Sequence, residues 1–264
     1  MSEFSSVLPK VVEAAKAAGE FILCEQRQFS QSRVEAKGHN DFVSHVDRTS
    51  EQMIVDALRP LLPEAGFITE EGTAQLDQRP LKWVIDPLDG TTNFIHGVPF
   101  FAVSIGLVDG MTPVLGVVHE LGRMETFTAT LGGGAFLNGQ PIHVSKSTTL
   151  AASLLGTGFP YTDFGQMDKY LALFGHLMQH SRGLRRPGSA ATDLAYVACG
   201  RFDAFFEYGL SPWDVAAGAC LVREAGGTVT DFDGGDNYIN GRQIVAANSL
   251  MHEELRGTVA RYML

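Results

Sequence analysis

No run in the 264 residues approaches the roughly 20 consecutive apolar side chains that a membrane-crossing helix requires. The opening stretch, MSEFSSVLPKVVEAAKAAGE, lacks both the basic start and the unbroken apolar segment of a secretion signal. A cytoplasmic protein with no membrane partner is expected. Cysteine is scarce: Cys24, Cys199 and Cys220 are odd in number, widely spaced and set in apolar helical patterns. They are expected to be reduced core thiols rather than a disulfide or a metal site. Basic residues are in deficit, 20 against 30 acids, and a net charge of −10 works against binding nucleic acid or anionic lipid, which reward clustered Lys and Arg. Low-complexity segments, internal repeats and linkers are also lacking. The 45% hydrophobic and 19% charged composition is that of a folded globular chain, long enough for one large domain or two packed lobes.

The pattern of elements changes near 145–152. Apolar residues at Phe4, Val7, Leu8, Val11, Val12, Ala15, Ala18 and Ile22 predict a helix over 4–23, and Met53, Ile54, Ala57 and Leu58 predict a second from about Val46 to Leu61. Short β-type runs follow at 66–70, 82–86, 101–108, 113–119, 124–130 and 134–137, joined by turns too short for crossover helices and therefore largely antiparallel. The second half alternates strands near 153–157, 184, 202–207, 228–231 and 243–246 with helices near 166–180, 189–199, 212–225 and 249–262. The reading is an α+β lobe over 1–148 packed on an α/β lobe over 149–264.

Residues 82–94, KWVIDPLDGTTNF, end an apolar strand in two acids, Asp86 and Asp89. Proline cannot donate to a sheet ladder, so the strand is expected to stop, or to become an edge, at Pro87, with both carboxylates and the Leu88 carbonyl turned toward one point. Gly90 permits a positive φ, and Thr91-Thr92-Asn93 offer hydroxyl caps and free amides at a helix start, where anions bind. Carboxylate and carbonyl oxygens beside an anion cradle suit a hard cation bridging a phosphate. Neither an EF-hand loop nor a P-loop fits the spacing. The same device recurs at Glu70-Glu71-Gly72 and at Asp214 in SPWDVAAGACLVREAGG. Each acid taken singly reads equally as a turn cap, a helix-start residue or a solvated strand end. Three such chain ends beside apolar sequence point to a shared site.

WVIDPLDGTTNF, ITEEG and PWDVAAGACLVREAGG, in this order and spacing, resemble the inositol monophosphatase family of metal-dependent, lithium-sensitive phosphatases. The resemblance extends from NDFVSHVD at 40–47 through GSAATDLAYVACGRFDAFFE at 188–207 to IVAAN at 244–248. It implies a layered αβαβα sandwich and two to three Mg²⁺ ions. Glu70, Asp86 and the Leu88 carbonyl would hold one ion, Asp86, Asp89 and Asp214 a second, and a third would lie near Glu70. By the same resemblance Gly90 and Thr91 amides receive the phosphate, Asp47 and Thr91 orient the attacking water with Glu70 as a further catalytic residue, and Lys37 lies in a basic segment near the third metal. Gly188, Ser189, Ala190 and Glu207 would line the sugar pocket, with Asp89 and Asp214 beside it. Gly72 and Ser211 replace residues common in relatives, Ser and His, without removing a ligand. The implied reaction is hydrolysis of myo-inositol monophosphate by direct attack of water, since the Asp-x-Asp of phosphatases with an aspartyl nucleophile is replaced here by Asp-x-x-Asp. Fructose 1,6-bisphosphate, nucleotide and histidinol phosphates are substrates of relatives and remain alternatives. The chain also resembles a bacterial member with a protein-binding role in ribosomal RNA transcription. A homodimer is implied by the family.

Overall fold

A computed structural model of the protein describes residues 4–27, 34–36, 42–74, 79–161 and 164–264. The chain begins with α1 (Leu8–Arg27), a ribbon of β1 (Val34–Ala36) and β2 (Phe42–Ser44), and α2 (His45–Leu58). Then come β3 (Gly66–Thr69), β4 (Leu81–Asp89), the short α3 (Thr91–His96), β5 (Ala102–Asp109), β6 (Thr112–Glu120), β7 (Glu125–Thr130), β8 (Gly134–Leu137) and β9 (Gln140–Pro141). The second half holds β10 (Leu154–Thr157), α4 (Met167–His180), β11 (Gly183–Arg185), α5 (Ala190–Ala198), β12 (Ala204–Tyr208), α6 (Pro212–Glu224), β13 (Gly227–Thr230), β14 (Gln243–Asn248) and α7 (His252–Met263).

Strands β3 to β9 form a seven-stranded sheet in chain order, antiparallel except for the parallel β3–β4 pair, as short turns require. The second sheet has the order β11-β10-β12-β14-β13, with the first three strands parallel and the last two antiparallel to their neighbours. Apolar stripes fix the layers. Val11, Ala15, Ile22, Ile54 and Val55 of α1 and α2 cover Trp83, Ile85 and Val117 on the outer face of the first sheet. Leu194 and Val197 of α5 with Ala216, Ala217 and Cys220 of α6 lie between Val84 and Phe127 of the first sheet and Phe205 and Ala246 of the second. Leu173, Leu177, Leu255 and Val259 of α4 and α7 close the far face. The result is the αβαβα sandwich.

The central helices come unusually close to the first sheet because of two glycines. Gly106 and Gly116 are cross-strand partners on β5 and β6, and α6 crosses them with Ala216 and Ala217. A Cβ on Gly116 would stand 2.4 Å from the Ala217 carbonyl oxygen, and one on Gly106 3.0 Å from Ala216 Cβ. This contact sets the height of α6, and so of Asp214 in its first turn, above the end of β4.

Two expectations change and one is narrowed. Strand β4 does not stop at Pro87: it runs on to Asp89, paired there with β5 alone, so it becomes an edge past the end of β3. Its register jumps from the Asp86–Ser104 pair to the Asp89–Ala102 pair, and β3 pairs only as far as Ile85, so Pro87 falls in a bulge where the ladder needs no donor. Helix α2 ends at Leu58, before Arg59-Pro60, and Met53 and Ala57 are exposed. Its buried face carries Asp47, Ser50 and Glu51 among Val46, Ile54, Val55 and Leu58, and these polar residues break the apolar period. Of the three thiols, none in a disulfide, only Cys220 is in the core; Cys199 is half-buried and Cys24 is exposed on α1.

Candidate active site

The bulge at the end of β4 is the base of the site. Asp86 Oδ1 accepts the Leu88 N–H at 2.9 Å, a local turn that holds the bulge closed. Asp86 and Asp89 are 2% and 9% exposed, so both carboxyls are largely removed from water. Gly90 follows at φ 98° as the N-cap of α3, and a Cβ there would meet the Phe100 and Gly188 carbonyl oxygens at 3.0 and 3.2 Å. Glycine supplies this cap by its conformation; the hydroxyl caps expected from the threonines are not formed. Instead, Thr91 Oγ1 donates to the Leu88 carbonyl at 3.0 Å.

Parallel pairing brings the next acid alongside. Strand β3 matches Thr69 to Ile85 and so delivers Glu70 beside Asp86. Glu51 of α2, overlooked in the sequence, secures this turn: it accepts the Glu71 and Thr73 N–H groups at 2.7 and 2.9 Å and the Thr73 hydroxyl at 2.7 Å. The Glu71 carboxylate is buried against Arg48 and does not line the cleft. Asp214 arrives on α6, whose first turn is a capping box in which Ser211 N–H donates to Asp214 Oδ2 at 2.6 Å. The helix-start role is thus formed, and it leaves the same carboxyl within reach of the other acids. Asp86, Asp89 and Asp214 each offer an oxygen within 4.8 Å of the others.

A cleft of about 300 Å³ opens over these groups. Glu70, Asp86, Leu88, Asp89, Gly90, Thr91 and Asp214 line it together with Gly188, Ser189, Ala190 and Glu207 from the second half of the chain. Asp47 does not line it; it is buried on α2, near enough for its charge to act on Glu70. Lys37 lies outside the described residues. Asp89 also binds the two halves, since its Oδ2 accepts Ser189 Oγ–H at 2.6 Å and Ala191 N–H at 2.7 Å at the start of α5. Asn93 adds a second tie through Nδ2, which donates to the Phe100 and Pro187 carbonyls at 2.7 and 2.9 Å. Glu207 is not a solvated strand end: it is buried, and its carboxylate rests against Gly158, where a Cβ would come within 2.1 Å of the oxygens. Gly158, Arg186 and Asp193 also line the cleft and were missed in the sequence. Asp193 left a trace there, being a lone acid inside the apolar helix AATDLAYVA.

Burial pushes the carboxyl pKa values up, and the acids reinforce one another. Glu70 and Asp86 are raised well above their usual values, first by burial and then by neighbouring acids. Asp89 is pushed to about 6 by burial, with its hydrogen bonds from Ser189 and α5 pulling the other way. Asp214 is pushed to about 7 by burial and then by Asp89. Asp86 is in hydrogen-bond contact with the carboxyls of both Glu70 and Asp214, so a proton or a cation must sit among them. The donors are all oxygen, with no Cys or His, which fits a hard divalent cation.

A stability test follows from these shifts. A carboxyl whose folded pKa is raised binds its proton more tightly folded than unfolded, so it makes stability fall as pH rises from the unfolded value toward the folded one. With the cation chelated, the melting temperature is therefore expected to rise as pH is lowered from about 8 to about 5.5, across the values of Asp214 and Asp89. Saturating divalent cation should flatten or reverse that slope. Thermal melts at several pH values, with and without chelator, check it; identical slopes would contradict it.

A sequence profile of the inositol monophosphatase family matches residues 3–264. The chain is 46% identical over 257 residues to the Nus factor SuhB of Pseudomonas aeruginosa, covering 96% of this chain and 95% of that one. It is 40% identical over 258 residues to the inositol-1-monophosphatase of Mesorhizobium japonicum, covering 97% of each. The crystal structure of the extragenic suppressor protein suhB from Bartonella henselae matches the fold with a TM-score of 0.90, at 40% identity, over 97% of this chain and 98% of that one.

Proposed function

The chain belongs to the inositol monophosphatase family, a family of metal-dependent phosphatases, and we propose that it hydrolyses a polyol monophosphate, myo-inositol monophosphate first, with Mg²⁺ as its metal. The observation that carries this reading is the meeting of three acidic chain ends on one cleft, with a buried carboxylate, Glu207, facing the same space. Glu70, Asp86 and the Leu88 carbonyl would hold one Mg²⁺, Asp86, Asp89 and Asp214 a second, and a third would lie near Glu70. When bound, the ions supply the charge that offsets these carboxylates, acidifies water and steadies the departing oxygen.

The chain's own residues do the rest. Backbone amides at Gly90 and Thr91, at the start of α3, would donate to the phosphate oxygens. Because Thr91 Oγ1 donates its hydrogen to the Leu88 carbonyl, its lone pairs are left to accept from a water and set that water's direction. Glu70, which lines the same cleft, would take a proton from it. Asp47 would act from below, through its charge on Glu70. Lithium is expected to inhibit by competing for the same oxygen donors, and an unchanged rate at millimolar lithium under saturating Mg²⁺ would count against that.

Glu207 would accept hydrogen bonds from the polyol hydroxyls, and Glu207→Gln tests this. A hydrogen bond to a charged partner contributes about 1.5–3 kcal/mol, or roughly a tenfold to hundredfold loss in kcat/KM on inositol monophosphate. Glycerol phosphate, without ring hydroxyls, should lose much less, and the Mg²⁺ midpoint should not move. Equal losses on both substrates would assign Glu207 to the fold or the metals. Phosphate release from a panel of sugar, nucleotide and histidinol phosphates tests the substrate itself, and a preference for fructose 1,6-bisphosphate would replace the polyol reading.

A second reading is favoured by the high identity to a relative named a Nus factor. In that role an outer surface would engage the transcription apparatus without catalysis. Capture of transcription elongation factors by a variant lacking the acids, at wild-type level, would support it. Capture that disappears with the acids would tie the two roles together.

A further inference from the structure

The same cleft holds a cation that the hydrolysis itself does not use. Arg186 follows β11, and its guanidinium lies across the rings of Phe159 and Tyr161, 5.2 and 5.3 Å from their centroids. Its Nη2 donates to Tyr161 Oη. Its Nη1 lies over Gly188, where a Cβ would come within 2.8 Å of it. Gly188 is thus needed twice, for its φ of 99° and for the space it leaves. Aromatic faces, the tyrosine oxygen and the bare glycine together fix the plane of the guanidinium, which suits arginine and not the pointlike charge of lysine. Among the described residues the bond to Tyr161 is its only hydrogen bond to the protein, which leaves Nη1 hydrogens for a ligand.

The surroundings decide what that ligand is. Glu207, Asp193 and Asp89 all feel the charge of Arg186, and all are buried cleft carboxyls. Asp193 Oδ1 is buried with no hydrogen-bond partner among the described residues. A second anionic group on the substrate would meet three carboxyls for one guanidinium. A neutral hydroxyl is better matched, because it gives its hydrogen to a carboxylate and accepts from a guanidinium at once. We propose that Arg186 is a specificity-determining residue of the leaving-group end, donating to a polyol hydroxyl oxygen whose own hydrogen goes to Glu207. This rests on the polyol reading above.

Arg186→Met tests it, since methionine keeps the stem against the two rings but removes charge and donors. The expected result is a KM for myo-inositol monophosphate raised roughly tenfold, with kcat held within about twofold, as for a hydrogen bond to a charged group lost from the bound substrate. Phenyl phosphate, which has no hydroxyls, should keep its kcat/KM within about twofold, and the Mg²⁺ midpoint should be unchanged. If Arg186→Met melts far below wild type, Arg186→Lys, which retains the charge without the fork, carries the same comparison with the same criterion. Equal losses on the two substrates would show that Arg186 only supports the fold and would overturn the assignment alone. A loss confined to fructose 1,6-bisphosphate would show that it reads a second anion, which also overturns it. A wild-type protein that cleaves phenyl phosphate but not inositol monophosphate would overturn the polyol reading, and the assignment with it.

Discussion

Asp214→Asn is expected to reduce turnover by roughly a hundredfold to a thousandfold, on the scale seen when one fixed charge-stabilising group is removed from an active site, while the protein stays folded. The asparagine oxygen can still accept the Ser211 N–H that closes the capping box, so the first turn of α6 is preserved. Its amide can donate to Asp86, with which the Asp214 carboxyl is in hydrogen-bond contact. What is lost is one negative charge from three carboxylates within 4.8 Å of one another. Stability without metal should therefore rise at pH 8, where the repulsion is greatest, and the dependence of melting on pH should weaken. Metal affinity should fall in the same variant. Calorimetric Mg²⁺ titration, thermal melts and steady-state rates read the three effects. Unfolding would assign Asp214 to capping alone, and a near-normal rate would remove it from the site.

Gly116→Ala is expected to be the most damaging single methyl group in the first sheet, although it lies beneath the site and touches none of its residues. Its Cβ would stand 2.4 Å from a backbone oxygen of α6, and backbone cannot turn aside as a flexible side chain can. Either α6 lifts off the sheet or β6 bends away. Overpacking of this kind costs about 3 kcal/mol, or a melting temperature lower by roughly 5–10 °C in a chain of this size. Because α6 carries Asp214, metal affinity should fall along with stability. Gly175→Ala is the control: it lies in α4 with nothing within 4 Å of its Cβ, and there the alanine should stabilise by about 0.5–1 kcal/mol. A Gly116→Ala protein with wild-type melting and metal binding would show that α6 is not held at this height by the glycine pair.

The parts of the site that were legible in the sequence are those encoded by local chain chemistry. Strand ends marked by acids, a proline, a glycine and a helix start each leave a signal a few residues long, so Glu70, Asp86, Asp89, Gly90 and Asp214 could be singled out before their distances were known. The β-runs and their antiparallel pairing were legible for the same reason, because alternation and short turns are local. What could not be read depends on distant neighbours. Gly106, Gly116 and Gly158 look like ordinary strand or loop glycines until α6 and the Glu207 carboxylate are placed against them. Glu51 and Asp47 sit on the buried face of α2, and an apolar count therefore shifted that face toward Met53 and Ala57, which are exposed. Pro87 was expected to end a strand or make it an edge, and which of the two could not be read, because it depends on β3 stopping at the level of Ile85. Arg186 stands just ahead of Gly188, where nothing but the fold shows that it reaches the cleft.

The central claim is that the acids at the ends of β3, β4 and α6 hold the metal that drives hydrolysis of a polyol monophosphate. Release of phosphate from myo-inositol monophosphate, followed as Mg²⁺ is titrated back into chelated protein, tests it most directly. The account predicts no release without the cation and a saturable return of activity as it is added, with the return lost in Asp214→Asn. Release that persists under thorough chelation, or none at any Mg²⁺ concentration from a protein whose melting shows the cation bound, would contradict it.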